Sequence, residues 1–195
     1  MAVLRAFIAI DLSPEIRKKL DGVTQDLHNR LPGMNIRWVP GKNIHLTLKF
    51  LGDVSIENLE ILKNMVRAEA AAHPTFELSI GEIGAFPSIH RPRVVWIGVA
   101  APPVLSKLQY RIETEAAQLG YPIEDRPFSA HLTIGRVSRN AGSRDIQAIG
   151  QVVADSEVGT LGKEPVISVC LFRSDLKPDG AVYSLLYSAP LTVVK

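Results

Sequence analysis

Two short stretches carry residue types that can do acid–base chemistry: His45-Leu46-Thr47-Leu48 and His131-Leu132-Thr133-Ile134, which together hold two of the five histidines. An unperturbed imidazole titrates near pH ~6.5, so both of its protonation states are available around neutrality. One histidine can take a proton from a nucleophile while the other gives one to a leaving group. Carboxylates such as Asp11 and Asp53, at about 4, are poor acids at pH 7 unless strongly perturbed. A threonine hydroxyl can donate to an anionic oxygen. Two histidines and two threonines around one point would therefore suit a phosphodiester: one negative charge to hold, one proton in, one proton out.

A single His-x-Thr is ordinarily an exposed strand face, because threonine favours strands anyway. The repetition gives the pattern its weight. Side chains alternate along a strand. In the first copy His45, Thr47 and Lys49 share one face, and Leu46, Leu48 and Phe50 share the other. In the second, His131 and Thr133 oppose Leu132 and Ile134. The aliphatic sides suit a core, which leaves His and Thr for a cleft. Strict alternation puts Arg136 opposite His131, so its approach to the same point requires a bulge or a strand end, which Gly135 would allow. Phe50 could stack a base, but it alternates with the core leucines and is expected in the core.

Other chemistries find less support. Two histidines are too few for a zinc site and no HExxH completes one; Asp53, the nearest acid, is explained by a loop. No phosphate-cradling Gly-rich loop or G-x-S-x-G elbow occurs. The one cysteine, Cys170, excludes an internal disulfide and reads as a buried, inert thiol in "VISVCLF". A net charge of +2 says little. Its distribution concentrates cations at His90–Arg93 and at Arg126, Arg136, Arg139 and Arg144, either a solvated surface or an attraction for a phosphate-bearing ligand. His28 and His73 are expected at the surface.

The 195 residues, 46% hydrophobic and 22% charged, suit a globular protein with one core. "MAVLRAFIAIDL" is too short to span a membrane and is read as a first strand, with a cytoplasmic location expected. Ser13 and Pro14 start a helix with Ile16, Leu20, Val23 and Leu27 inward, closed by Leu31-Pro32-Gly33. "NIRWV" and "NIHLTLKFL" are strands. Ser55 caps a second helix bearing Leu59, Leu62, Val66 and Ala70, which stops at His73-Pro74. "TFELSIGEIGAF" and "RVVWIGVA" flank the basic loop "PSIHRPR". After Ala100 the layout restarts: a helix from Pro102-Pro103 to Gly120, the strand "SAHLTIGRV", a short helix over 143–154, and the strands "VISVCLFRS" and "AVYSLLYSA" around the turn "DLKPDG". Each half thus offers a helix, an HLT strand and further strands. The expected architecture is one α+β domain, residues 1–195, of two similar lobes with a cleft between them.

The paired H-L-T-[LI] motifs resemble the H-x-T-x signatures of the two-histidine phosphoesterase superfamily. "RAFIAIDL", "RWVPGKNIHLTLKFLGDV", "AFPSIHRPRVVWIGV", "FSAHLTIGRV" and "LFRSDLKPDGAVYSLL" resemble, in order, blocks of its RNA 2′,3′-cyclic phosphodiesterase (2′–5′ RNA ligase) family. The resemblance implies two pseudo-symmetric lobes, each an antiparallel sheet with helices outside, and metal-independent hydrolysis of a terminal 2′,3′-cyclic phosphate to a 2′-phosphate with no cofactor. It implies that His45 protonates the departing 3′ oxygen, that His131 activates water, that Thr47 and Thr133 hold phosphoryl oxygens, and that Arg136 binds substrate. The implied partner is RNA with a cyclic phosphate end, tRNA halves included, acted on by a monomer away from membranes. The alternatives are 2′–5′ ligation of tRNA halves or cleavage of 2′–5′ linkages, and a non-catalytic RNA-binding module.

Overall fold

The structure is a computed structural model that describes residues 2–178 and 180–193. The chain runs β1 (Val3–Ile10), α1 (Pro14–Arg30), β2 (Ile36–Trp38), β3 (Leu46–Ser55), α2 (Leu59–Ala71), β4 (Phe76–Phe86), β5 (Val94–Ala100), α3 (Pro103–Gln118), β6 (His131–Val137), α4 (Ser143–Ala154), β7 (Thr160–Val166), β8 (Ser168–Lys177) and β9 (Gly180–Pro190), with short 3-10 turns at Gly41–Asn43 and Ile56–Asn58. The expected turn "DLKPDG" joins β8 to β9; its Asp179 lies outside the described residues.

The strands form two antiparallel sheets, one ordered β3-β1-β8-β9 and the other β2-β6-β5-β4-β7. The α+β, two-lobed expectation matches this, but the lobes are not the two halves of the chain. Strand β1 pairs with the C-terminal hairpin β8–β9, while β2, β4 and β5 of the N-terminal half build the sheet that carries the second motif. The helices cross over as well. The first lobe's sheet packs against α2 and α3, and the second lobe's against α1 and α4. Each lobe is therefore closed by chain from both halves, which explains why no hinge sequence separates them.

The helices form where apolar spacing and caps allow. In α1 the Ser13 hydroxyl accepts from the Ile16 N–H (3.4 Å) and donates to Glu164 of β7 (2.6 Å), so one cap also pins the helix to the second sheet. Its buried stripe is Ile16, Leu20, Thr24 and Leu27; Thr24 stands where Val23 is expected. Ser55 does not cap α2. A 3-10 turn intervenes, Asn58 takes the cap position, and the buried Ser55 hydroxyl has no partner among the described residues. The remaining stripes, Leu62, Val66 and Ala70 in α2 and Leu105, Leu108, Ile112 and Ala116 in α3, are buried as spaced. Gly120 ends α3 in the left-handed region that favours glycine, at φ 90°. Cys170 is buried; burial pushes its thiol above the ordinary range, against hydrogen bonds with Ser188 and Ser168. Among the described residues, no helix is long and apolar enough to cross a membrane.

Candidate active site

Both motifs occupy the same kind of backbone. Alternation holds from histidine to threonine and then breaks. In β3, Thr47 lies opposite Ala9 of β1 and Lys49 opposite Ile8, leaving Leu48 unmatched. In β6, Thr133 lies opposite Trp96 of β5 and Gly135 opposite Val95, leaving Ile134 unmatched. Each is a β-bulge placed directly after the threonine, and each inserts one residue that turns the strand's faces over. The carbonyls the bulges release find donors: the Gln109 side chain reaches Leu48 O (3.3 Å), and the Val39 N–H reaches Ile134 O (2.8 Å).

The consequence reverses three side chains. Lys49, expected in the cleft, is 1% exposed and points into the core, where its ammonium donates to Glu113 and to the Pro122 carbonyl. Phe50, expected in the core, is 55% exposed and lines the cleft. Arg136, which strict alternation sends away, lines the cleft too. The bulge foreseen as the condition for Arg136 is present. A side chain at Gly135 would be tightly confined, since a Cβ there would meet Ile36 and the Trp38 ring at 3.0 Å.

The cleft holds a cavity of about 210 Å³ lined by His45, Thr47, His131, Thr133, Arg136, Phe50, Tyr183, Asn43, Val39 and Val94. All five residues singled out from the sequence meet there, from two separate sheets. Such a volume is below the ~300 Å³ at which whole-ligand pockets begin, so it suits a phosphate and its adjoining ring atoms with the rest of a ligand outside. Phe50, Tyr183 and Asn43 were missed as lining residues. Phe50 is revealed only by the bulge. Tyr183, on β9, and Asn43, in a 3-10 turn, carry no local signal.

The two histidines are held alike at one nitrogen. His45 Nδ1 lies 2.9 Å from the Asn43 carbonyl and His131 Nδ1 lies 2.7 Å from the Ser129 carbonyl. A carbonyl only accepts, so Nδ1 carries hydrogen in both rings and Nε2 is left to accept or give a proton.

Their surroundings differ. His45 stacks on Phe7 (centroids 4.5 Å apart, 24° between planes) and meets Tyr183 edge-on at 5.1 Å. Burial pushes its pKa down to about 4, against the Asn43 carbonyl and Asp11, while Arg136 and Arg17 add to the depression. Arg136 comes from the other lobe and lines the same cavity as His45. His131 meets the ring of Phe86 edge-on at 4.9 Å.

The remaining sequence candidates lie elsewhere. His28 and His90 are exposed, the latter beside a depression against α4, and His73 Nδ1 donates to the Glu69 carbonyl (2.7 Å) at the end of α2. Arg93 donates to the Ser138 carbonyl (3.1 Å) rather than lining the cavity. Among the described residues there is no cluster of three His, Cys, Asp or Glu side chains that could hold a metal ion.

Comparison with known proteins points to one family. Residues 10–96 match the LigT like Phosphoesterase family. The chain is 34% identical, over 93% of its length and 95% of the relative's, to an RNA 2′,3′-cyclic phosphodiesterase of Methanothermobacter thermautotrophicus. It is 36% identical, over 70% of its length and 74% of the relative's, to that of Escherichia coli. The crystal structure of TT0787 of Thermus thermophilus superposes with a TM-score of 0.80 at 27% identity, covering 96% of this chain and 98% of that one. That of E. coli LigT complexed with 3′-AMP gives 0.78 at 28% identity, covering 98% and 99%. With full-length relatives at this identity, and with both HLT strands converging on one cavity, the chain belongs to the RNA 2′,3′-cyclic phosphodiesterase family of LigT-like phosphoesterases.

Proposed function

We propose that this protein opens the terminal 2′,3′-cyclic phosphate of RNA to a 2′-phosphate, with His45 and His131 as the acid–base pair. The observation that carries the reading is the convergence of both His-x-Thr pairs and Arg136 on one small cavity. In the step, water attacks phosphorus as His131 Nε2 takes its proton. The bond from phosphorus to O3′ breaks, and His45 Nε2 delivers a proton to that oxygen. The products are a 3′ hydroxyl and a 2′-phosphomonoester. The hydroxyls of Thr47 and Thr133 donate to the non-bridging oxygens, and the Arg136 charge opposes the negative charge that grows on them.

His45 must enter this step protonated, whereas burial keeps it neutral in the free protein. A bound phosphodiester anion supplies the missing counter-charge, offsetting Arg136 and Arg17. Protonation of His45 is thus coupled to substrate binding, which delays the acid's appearance until there is a leaving group to receive its proton.

The test is product analysis on a short RNA with a 2′,3′-cyclic phosphate end, in excess chelator. The expected product is the 2′-phosphate alone. An intact cyclic end after incubation at micromolar enzyme, or a 3′-phosphate product, would refute the assignment.

A further inference from the structure

The established cavity accounts for one phosphate, but the cationic surface continues past it. Arg37 of β2 lies directly opposite Arg136 of β6 in the antiparallel register. Directly opposed residues share a face, with Cβ atoms about 4.5–5.5 Å apart. The cleft-facing row therefore reads Val94, Arg136, Arg37, ending at an edge strand. Two like charges opposed in this way are unfavourable. Among the described residues neither arginine pairs with a carboxylate. Asn35, which lines the same depression, turns its amide to Asp145 of α4 (2.6 Å). Arg37 is exposed, so no packing need explains it. Beside the pair lies an open depression of about 450 Å³, lined by Met34, Asn35, Arg37, Arg136 and Ser138, and Arg136 belongs to both this depression and the catalytic cavity.

Building on the proposed activity, we infer that Arg37 and the depression beside it form a second phosphate subsite, which holds the internucleotide phosphate next to the reacting end. The substrate class is then an RNA strand of two or more nucleotides rather than a mononucleotide cyclic phosphate. Arg136 stands between the two phosphates, and Arg37 takes the one further out. Guanidinium suits this task because it holds phosphate oxygens through a planar fork and cannot lose its charge.

Binding of the product class tests this without turnover. A ribonucleoside 2′-phosphate and a diribonucleotide ending in a 2′-phosphate are titrated against wild type, Arg37→Gln and Arg37→Lys, with thermal melting to confirm folding. Wild type should prefer the dinucleotide by about tenfold or more, the worth of one charge-assisted contact. Arg37→Gln should bring that ratio close to one and lessen the salt slope for the dinucleotide by about 0.7. Arg37→Lys should retain part of the preference. A methylphosphonate linkage, which removes the internucleotide charge, should abolish the preference in wild type and make Arg37→Gln silent. An unchanged ratio in folded Arg37→Gln would overturn the subsite, as would a preference that survives the methylphosphonate. Hydrolysis of cyclic ends is scored separately. Its absence alongside an Arg37-dependent ratio would refute the enzymatic reading and leave the subsite standing.

Discussion

The same tetrapeptide pattern, the same carbonyl contact at Nδ1 and the same bulge occur in both lobes, yet the two walls of the cleft differ in character. On the first lobe the residue that returns to the cleft after the bulge is Phe50. It lies opposite Phe7, which lies opposite Phe172, so the face is an aromatic row with His45 stacked on it. On the second lobe the returning residue is Arg136, opposite Arg37, and the face is cationic. A duplicated backbone thus supplies two imidazoles on opposite sides of one cavity, while the position three residues beyond each threonine makes the sides unequal. An RNA end is unequal in the same sense, with a flat base and a charged backbone. In the proposed reaction, near-symmetry places the acid and the base, and its breaking orients the substrate.

The symmetry breaks most plainly if one histidine is dispensable. His45→Ala and His131→Ala are each expected to lower kcat/KM by about 10²–10⁴, the worth of one acid or base. Wild-type rates for either variant would show that the lobes are not partners in one reaction. The bulges are tested through Lys49, which exists in the core only because Leu48 is inserted before it. Lys49→Ala leaves Glu113 buried without its cation and should destabilise the fold by about 3–5 kcal/mol in chemical denaturation. Lys49→Met with Glu113→Leu should recover most of that loss. A loss within error for Lys49→Ala would mean that the ammonium reaches water.

The lowered pKa of His45 gives a smaller, signed effect. The folded His45 titrates at about 4 and an unfolded one near ~6.5, so the unfolded chain binds more protons between those values. Stability is unaffected above that window and falls as pH drops through it. His45→Gln should lessen the loss between pH 7 and pH 5 by at most about 2 kcal/mol relative to wild type. Equal pH dependence in the two proteins would contradict a neutral, buried imidazole. Smallest is the aromatic wall. Phe50→Ala should raise KM for a short cyclic-phosphate RNA by about tenfold with kcat little changed, the lower end of base–aromatic stacking. A drop in kcat at constant KM would instead assign Phe50 to positioning His45 through Phe7.

Much of the site could be read in the chain before folding. His45, Thr47, His131 and Thr133 are two residues apart within each copy, and over so short a run the pleat alone fixes a shared face. Helix stripes such as Leu105, Leu108, Ile112 and Ala116 were equally legible, because burial of one face follows helical spacing. Beyond the threonines the same rule misassigned Lys49 and Phe50, and left Arg136 to a bulge that the sequence could allow but not require. Tyr183 and Asn43 gave no sign at all.

The sequence by itself determined which groups are available for acid–base chemistry: two imidazoles, hydroxyls two residues beyond them, and apolar neighbours that bury the opposite faces. Tertiary structure decided where that chemistry points. A bulge arises from the register of a strand against its neighbour, and the neighbours of β3 and β6 are β1, β5 and β2, brought from distant parts of the chain. Only when β8 and β9 return to complete the first lobe does Tyr183 reach His45, a ring contact that neither motif encodes.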